Sequence, residues 1–183
     1  MPTERQFCRF TAGPADPVHG RYAVPPDGLC LSAFLVVSAD EAPSRVLLGR
    51  VNPAADWAHL GALDPDRVAA WKDRWMLPSS HLIHLESPLE AAERIARELT
   101  PLTLPTFAGP IVTSEVYPPA RHPNAGHHWD LEFIFRASAP GATLRPHPAW
   151  AELRFVDSRE LTPAAMARAH GDILSAAGFP MRD

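Results

Sequence analysis

Residues 75–102 read WMLPSSHLIHLESPLEAAERIARELTPL, and the second half of this stretch is the best-specified helix in the chain. Ser87 can cap it, Pro88 suits the first turn, and Glu90 stands three residues after the cap, which completes a capping box. Pro101 stops it. Leu85, Leu89, Ala92, Ala96 and Leu99 recur at helical spacing and read as an apolar stripe. Glu90, Arg94 and Glu98 stand four apart on another face, and Glu93 and Arg97 add a second pair. Such ladders contribute only a few tenths of a kcal/mol when exposed. The short, partly apolar run from His81 to Leu85 is expected to be a strand leading into the helix.

Working outward, Leu29 to Ser38 (LCLSAFLVVS) is a continuous apolar run between Gly28 and Asp40, and its β-branched content favours a buried strand. Arg45 to Val51 reads as a second strand. The turn-forming ADEAPS between them predicts a hairpin. Asp64-Pro65-Asp66 is a helix start, followed by RVAAWKDRW. After the central helix, two strands are expected at 108–117 and 128–136 and another at 153–157. A last helix should run over 163–177, after Thr162-Pro163. Residues 1–28 read as an irregular arm with at most one short strand, and residues 29–183 as a single domain. Strands mixed with two or three helices imply a layered α/β sandwich.

Composition bounds the function. The chain has 183 residues and a net charge of −4, so no global basic field draws it to a nucleic acid polymer or an anionic membrane. Proline is the outlier, at 21 residues, and most of these sit between hydrophobic runs, where they stiffen loops. Lys72 is the only lysine among the 17 basic residues, a bias that suggests a GC-rich bacterial source. Cys8 and Cys30 match neither a zinc spacing nor a disulfide framework, and the opening MPTERQFCRF has no apolar leader core. A cytoplasmic location and no membrane span are the expectations.

The 75–102 stretch resembles the Nudix box, G-x5-E-x7-R-E-U-x-E-E-x-G-U, with U a bulky apolar residue. The spacing matches without a gap. Ser80 stands for the first Gly, Glu86 for the first Glu, Arg94 for the Arg, Glu98 for the first of the Glu pair and Leu102 for the last apolar position. Trp75 to Ser80 resembles the Trp-x-x-Pro-Gly-Gly approach to that box, and Glu152 to Leu161 resembles a late segment of the family. The resemblance spans roughly residues 29–177 and implies a Nudix-type α/β/α sandwich with a mixed β-sheet. There are four departures: Ile95 follows the Arg, Leu99 replaces the second Glu, Pro101 replaces the box Gly, and Ser79-Ser80 replace the leading glycines.

Nudix enzymes cleave nucleoside diphosphates linked to another group, using water and divalent metals that neutralise developing charge. Mg²⁺ or Mn²⁺ needs oxygen ligands, and a helix can offer them at i, i+3 and i+4, which share a face. Here those positions are Ile95, Glu98 and Leu99, which leaves one carboxylate. The resemblance therefore supports two readings. One is a metal-dependent hydrolase of a nucleoside diphosphate-linked or related pyrophosphate compound with a non-standard ligand set. The other is a catalytically inactive module that binds a nucleotide-like ligand or a protein partner.

In the first reading Glu98 and Glu86 hold the metal and act in catalysis, and Glu152 is a candidate general base from the late family segment. Arg94 has a structural role, orienting carboxylates. Asp130 and Glu132 share one face of a strand by alternation and are candidates for the missing ligands; the alternatives are a solvated face or a pairing of Asp130 with an arginine. Glu98 could equally pair on the surface, and Glu86 could simply be an acid before a helix N-terminus. His128 and Arg50 are candidate substrate contacts. His122, His127 and His128 match no zinc template. Trp57, Trp71, Trp75 and Trp150 read as core or rim residues, and Trp129 as core. The implied partner is a small phosphate-containing ligand, and dimers, common in the family, make a homodimer an expectation.

Overall fold

The computed structural model describes residues 9–10, 29–117, 128–139 and 144–182. The described strands are β1 (Arg9–Phe10), β2 (Leu29–Ala39), β3 (Ala42–Val51), β4 (Ser79–His81), β5 (Ala108–Tyr117), β6 (His128–Ala139) and β7 (Trp150–Asp157). The helices are α1 (Trp57–Gly61), α2 (Pro65–Trp71), α3 (Pro88–Leu99) and α4 (His170–Ala176). Among the described residues the strands form one seven-stranded sheet that runs β5-β6-β2-β3-β7, with β1 and β4 also on β2. β2 and β6 are parallel and the other pairs antiparallel, so the sheet is mixed.

Strand β2 is hydrophobic on both faces because it is covered on both. Ala33, Leu35 and Val37 enter one core with Leu47, Val51 and Phe135, while Phe34 and Val36 enter a second with Val46, Leu48 and Ile134. Helix α3 covers the first core with Ala91, Ala92, Ile95, Ala96 and Leu99, joined by Trp57 and Val68 of α1 and α2. Helix α4 covers the second with Ile173 and Leu174, beside Trp75 and Leu77. The result is the expected α/β/α sandwich. None of the described helices is long and apolar enough to cross a membrane.

The capping box of α3 forms as read: the Glu90 amide donates to Ser87 Oγ at 3.3 Å, and the Ser87 amide donates to a Glu90 carboxylate oxygen at 2.8 Å. Hydrogen bonding by Ser87, from its side chain first and its amide second, holds the Glu90 carboxyl below its ordinary range. The apolar stripe is rotated from the expected one, however. Leu85 is 89% exposed and Leu89 47%, and the buried face uses Ala91 and Ile95 instead. Leu85 lies before the cap in a left-handed conformation, φ 69°, so it does not continue the helical face. The run His81–Leu85 is a strand only at its first residue; β4 ends there and a turn follows.

The last helix also differs. Pro163–Ala165 form a single 3₁₀ turn, and Arg168 and Ala169 adopt φ of 52° and 57°, so α4 begins only at His170. Two consecutive left-handed residues cannot lie within an α-helix. Trp129, expected in the core, is 45% exposed beside Val116. Helix α1 was not foreseen; Asp56 caps it, accepting the His59 amide at 3.1 Å.

His170 is fully buried between α4 and the sheet. Its Nδ1 accepts the Leu77 amide at 3.0 Å, and Phe34 packs edge-on at 5.1 Å. Burial, with a smaller contribution from Arg168, holds its pKa well below the ordinary 6.5. The unfolded chain therefore takes a proton near pH 6.5 that the folded chain refuses. Stability is full above that pH and falls as the pH drops below it, by up to about 1.4 kcal/mol per unit from this group. Urea unfolding at stepped pH values should show that slope, and His170→Asn, whose side-chain oxygen can replace Nδ1 as acceptor, should flatten it. An unchanged slope in the variant would assign the effect to other groups.

Candidate functional site

Arg94 organises the box. Though it sits on a helix rich in charge, its side chain is only 6% exposed. Its Nε donates to Glu86 Oε1 at 2.7 Å and its Nη2 to Glu86 Oε2 at 2.8 Å, a bidentate pair. Nη2 also donates to the His81 carbonyl at 2.9 Å, and the Ile83 amide donates to Glu86 at 2.9 Å. Nη1 lies 3.9 Å from Glu98. Arg94 thus ties the end of β4, the turn after it and α3 into one unit, and it stands between Glu86 and Glu98.

The two positions that lack carboxylates are filled by core. Ile95 is 0% exposed and Leu99 1%, both packed in the cluster under α3. The Leu99 carbonyl accepts the Trp150 indole N–H at 2.7 Å, and Trp150 meets Trp57 edge-on at 5.0 Å. Gly49 allows this: a Cβ there would overlap the Trp150 ring. Ser80, in place of the first box glycine, donates its hydroxyl to the Leu60 carbonyl at 2.8 Å and so ties β4 to α1.

Glu98 differs from its neighbours. It is 29% exposed and lines a cleft of about 530 Å³ with Asn52, Asp56, His59, Leu60 and His147. The cleft lies where β3 ends, β7 begins and α3 finishes. Asn52 locks the two loops together, donating to the Pro148 carbonyl at 2.9 Å and accepting the Ala54 amide at 3.1 Å, while its own amide donates to the Ala149 carbonyl at 2.9 Å. His147 accepts the Ala149 amide at 3.3 Å, and burial lowers its pKa, favouring the uncharged ring.

The remaining expected site residues do not join Glu98. Asp130 and Glu132 alternate with Phe133 and Phe135 and so share the face of Ile134, which belongs to the α4 core. They are buried there; Asp130 accepts the Ser32 hydroxyl at 3.1 Å and Glu132 the Thr113 hydroxyl at 2.6 Å. The sheet separates them from Glu98, and they are not the solvated face considered as their alternative. Glu152 and Arg50 are cross-strand partners on β7 and β3, again on the α4 side, with an ion pair of 3.6 Å. Arg154 pairs with Glu152 at 3.0 Å, and both arginines stack on Trp75. His122 and His127 lie outside the described residues, as does the side chain of His128.

Among the described residues no three His, Cys, Asp or Glu side chains are placed to hold one metal ion. Mg²⁺ or Mn²⁺ prefers several oxygen donors, and the α3 face offers Glu98 between two buried aliphatic side chains. That donor set does not fit the metal cluster the box implies. The residues unforeseen from sequence were His59 and His147. Both come from connecting segments, His59 from the short helix α1 after β3 and His147 from the loop before β7, and neither carries a local sequence signal that ties it to Glu98.

No family model matches the chain, and no curated protein does either. Solved structures do match. The E. coli dihydroneopterin triphosphate pyrophosphohydrolase aligns with a TM-score of 0.55 at 17% identity, over 81% of this chain and 93% of that one. A MutT protein from Bacillus halodurans aligns at 0.56 and 18%, over 84% of each chain. The NUDIX domain of Shewanella oneidensis NrtR, crystallised with ADP ribose, aligns at 0.51 and 14%, over 90% and 92%. With the sandwich, the mixed sheet and the gap-free box on α3, these likenesses establish the Nudix fold for this chain.

Proposed function

We propose that this chain is a Nudix-fold ligand-binding module that takes a small nucleotide-like, phosphate-containing compound in the cleft beside Glu98, without the metal-assisted cleavage associated with an intact box. The observation that carries the reading is the burial of Ile95 and Leu99 where two metal-binding carboxylates would stand. A charge-bearing metal cluster cannot share space with a packed aliphatic core, because apolar neighbours oppose ionised ligands. The cleft itself survives, with a volume in the range of small-ligand pockets. The similar NUDIX domain crystallised with ADP ribose supports the ligand class.

A second reading is favoured by one specific observation. The Glu86–Arg94–Glu98 linkage is retained, and Glu98 opens on the cleft. It is a Nudix-type pyrophosphohydrolase in which Glu98 works with Mg²⁺ or Mn²⁺ brought in by the substrate. The test is to incubate the protein with ADP ribose and with nucleoside triphosphates, with Mg²⁺ or Mn²⁺, and to follow both product release and thermal stabilisation. The first reading expects stabilisation without product. Turnover that disappears in Glu98→Gln would replace it with the second.

A further inference from the structure

A second cavity, of about 350 Å³, lies at the opposite end of the β3–β7 pair from the Glu98 cleft. Arg45 stands at its rim and Asn52 in the cleft, which puts roughly 20 Å of extended chain between the two. The last residues of β2 and β6, Ala39 and Ala139, form its apolar floor with Leu144, Leu153 and Phe155, and Glu41 and Arg45 are exposed beside it. The strand pairing places these charges. Ser38 faces Val46 but Ala39 faces Ala42, so Pro43, Ser44 and Arg45 bulge out of the β2–β3 ladder. The bulge is pinned, because Ser44 donates its hydroxyl to Asp157 at 3.2 Å and Arg159 donates to the same carboxylate at 2.6 Å. Asp157, the cross-strand partner of Arg45, is thus engaged elsewhere. Among the described residues the Arg45 guanidinium has one contact, from Nη2 to the Phe155 carbonyl at 2.8 Å, and the Glu41 carboxylate has no hydrogen bond or ion pair. Arg154 also borders the cavity, but its guanidinium is engaged by Glu152 and Trp75.

We infer that this cavity is a second ligand site, which takes a free amino acid with an apolar side chain. Its carboxylate sits on Arg45, its ammonium on Glu41 and its side chain against Leu144, Leu153 and Phe155. A guanidinium donates two parallel bonds to a carboxylate, and a carboxylate accepts from an ammonium. An apolar acid would satisfy Arg45 and leave Glu41 facing no cation, and an apolar amine would do the reverse. A zwitterion with an apolar side chain answers both charges and the floor together, whereas a peptide separates the two charges by its own length. The volume lies at the lower end of small-ligand pockets, which suits one amino acid. What the Glu98 cleft binds does not enter into this assignment.

The test is calorimetric titration of L-leucine and L-phenylalanine into the full chain, each beside its deaminated and its decarboxylated analogue, with glycine as the control that lacks an apolar side chain. At least one of the two amino acids should bind saturably, glycine should not, and each analogue should bind about three- to fivefold more weakly than its parent. Arg45→Gln and Glu41→Gln change exposed side chains and should leave the melting temperature near that of the parent. In Arg45→Gln the amino acid should fall to the affinity of its decarboxylated analogue, and in Glu41→Gln to that of its deaminated one. No saturable binding of either amino acid, a deaminated analogue that binds as tightly as its parent, or affinities unchanged in both variants would overturn the assignment.

Discussion

Leu99→Glu is expected to cost about 3–5 kcal/mol of stability at neutral pH, and Ile95→Glu at least as much. Both side chains are fully buried under the sheet, and Leu99 sits where its carbonyl receives the Trp150 indole. A carboxylate at either site loses hydration and gains no cation. Because a domain of this size is stable by only about 5–15 kcal/mol, either change removes a large part of the total. Glu98→Gln, on the half-open side of the same helix, should stay within about 1 kcal/mol of the parent. Urea and thermal unfolding measure all three. The two glutamate substitutions restore the two missing box carboxylates, so they separate two views of it. Near-parental stability, with a rise in melting temperature on adding Mg²⁺, would mean that positions 95 and 99 face the cleft and that a metal centre needs only its ligands back.

The second large effect belongs to Arg94. Arg94→Leu should destabilise the fold by about 3 kcal/mol or more, although Arg94 lies on a helix face that reads as exposed. The change takes two short bonds from Glu86, which is 12% exposed, and one from the His81 carbonyl. Glu86→Gln keeps an amide oxygen for the Ile83 N–H and should cost less. The double variant should be clearly more stable than the sum of the singles predicts, since the aliphatic side chain at position 94 then faces a neutral amide instead of a carboxylate that has lost its guanidinium. Additive losses in the cycle would show that the pair is not coupled.

What could be read in the sequence follows the range of the interactions. The capping box, the Pro101 stop and the 86-94-98 spacing are local, and the structure keeps each of them. The hairpin of β2 and β3 was legible because its turn chemistry lies between two apolar runs. The alternation of Asp130 and Glu132 with Phe133 and Phe135 was also legible, but not which helix covers which face. That depends on β6 joining β2 in parallel and on α4 returning across the sheet. The same non-local facts place Glu152 and Arg50 against Trp75 and bring His59 and His147 to Glu98. The break at Arg168 and Ala169 has no sequence signal, because neither is a residue that favours a left-handed backbone.

The central claim is that the box helix is core and not a metal centre. Its most direct test is calorimetric titration of Mg²⁺ and Mn²⁺ into the purified protein, alone and with a non-hydrolysable nucleoside diphosphate, with Glu98→Gln as control. The account predicts no saturable metal binding to the protein alone, and with the nucleotide none beyond what the nucleotide binds by itself. Saturable binding in the low-millimolar range or tighter, lost in Glu98→Gln, would contradict it.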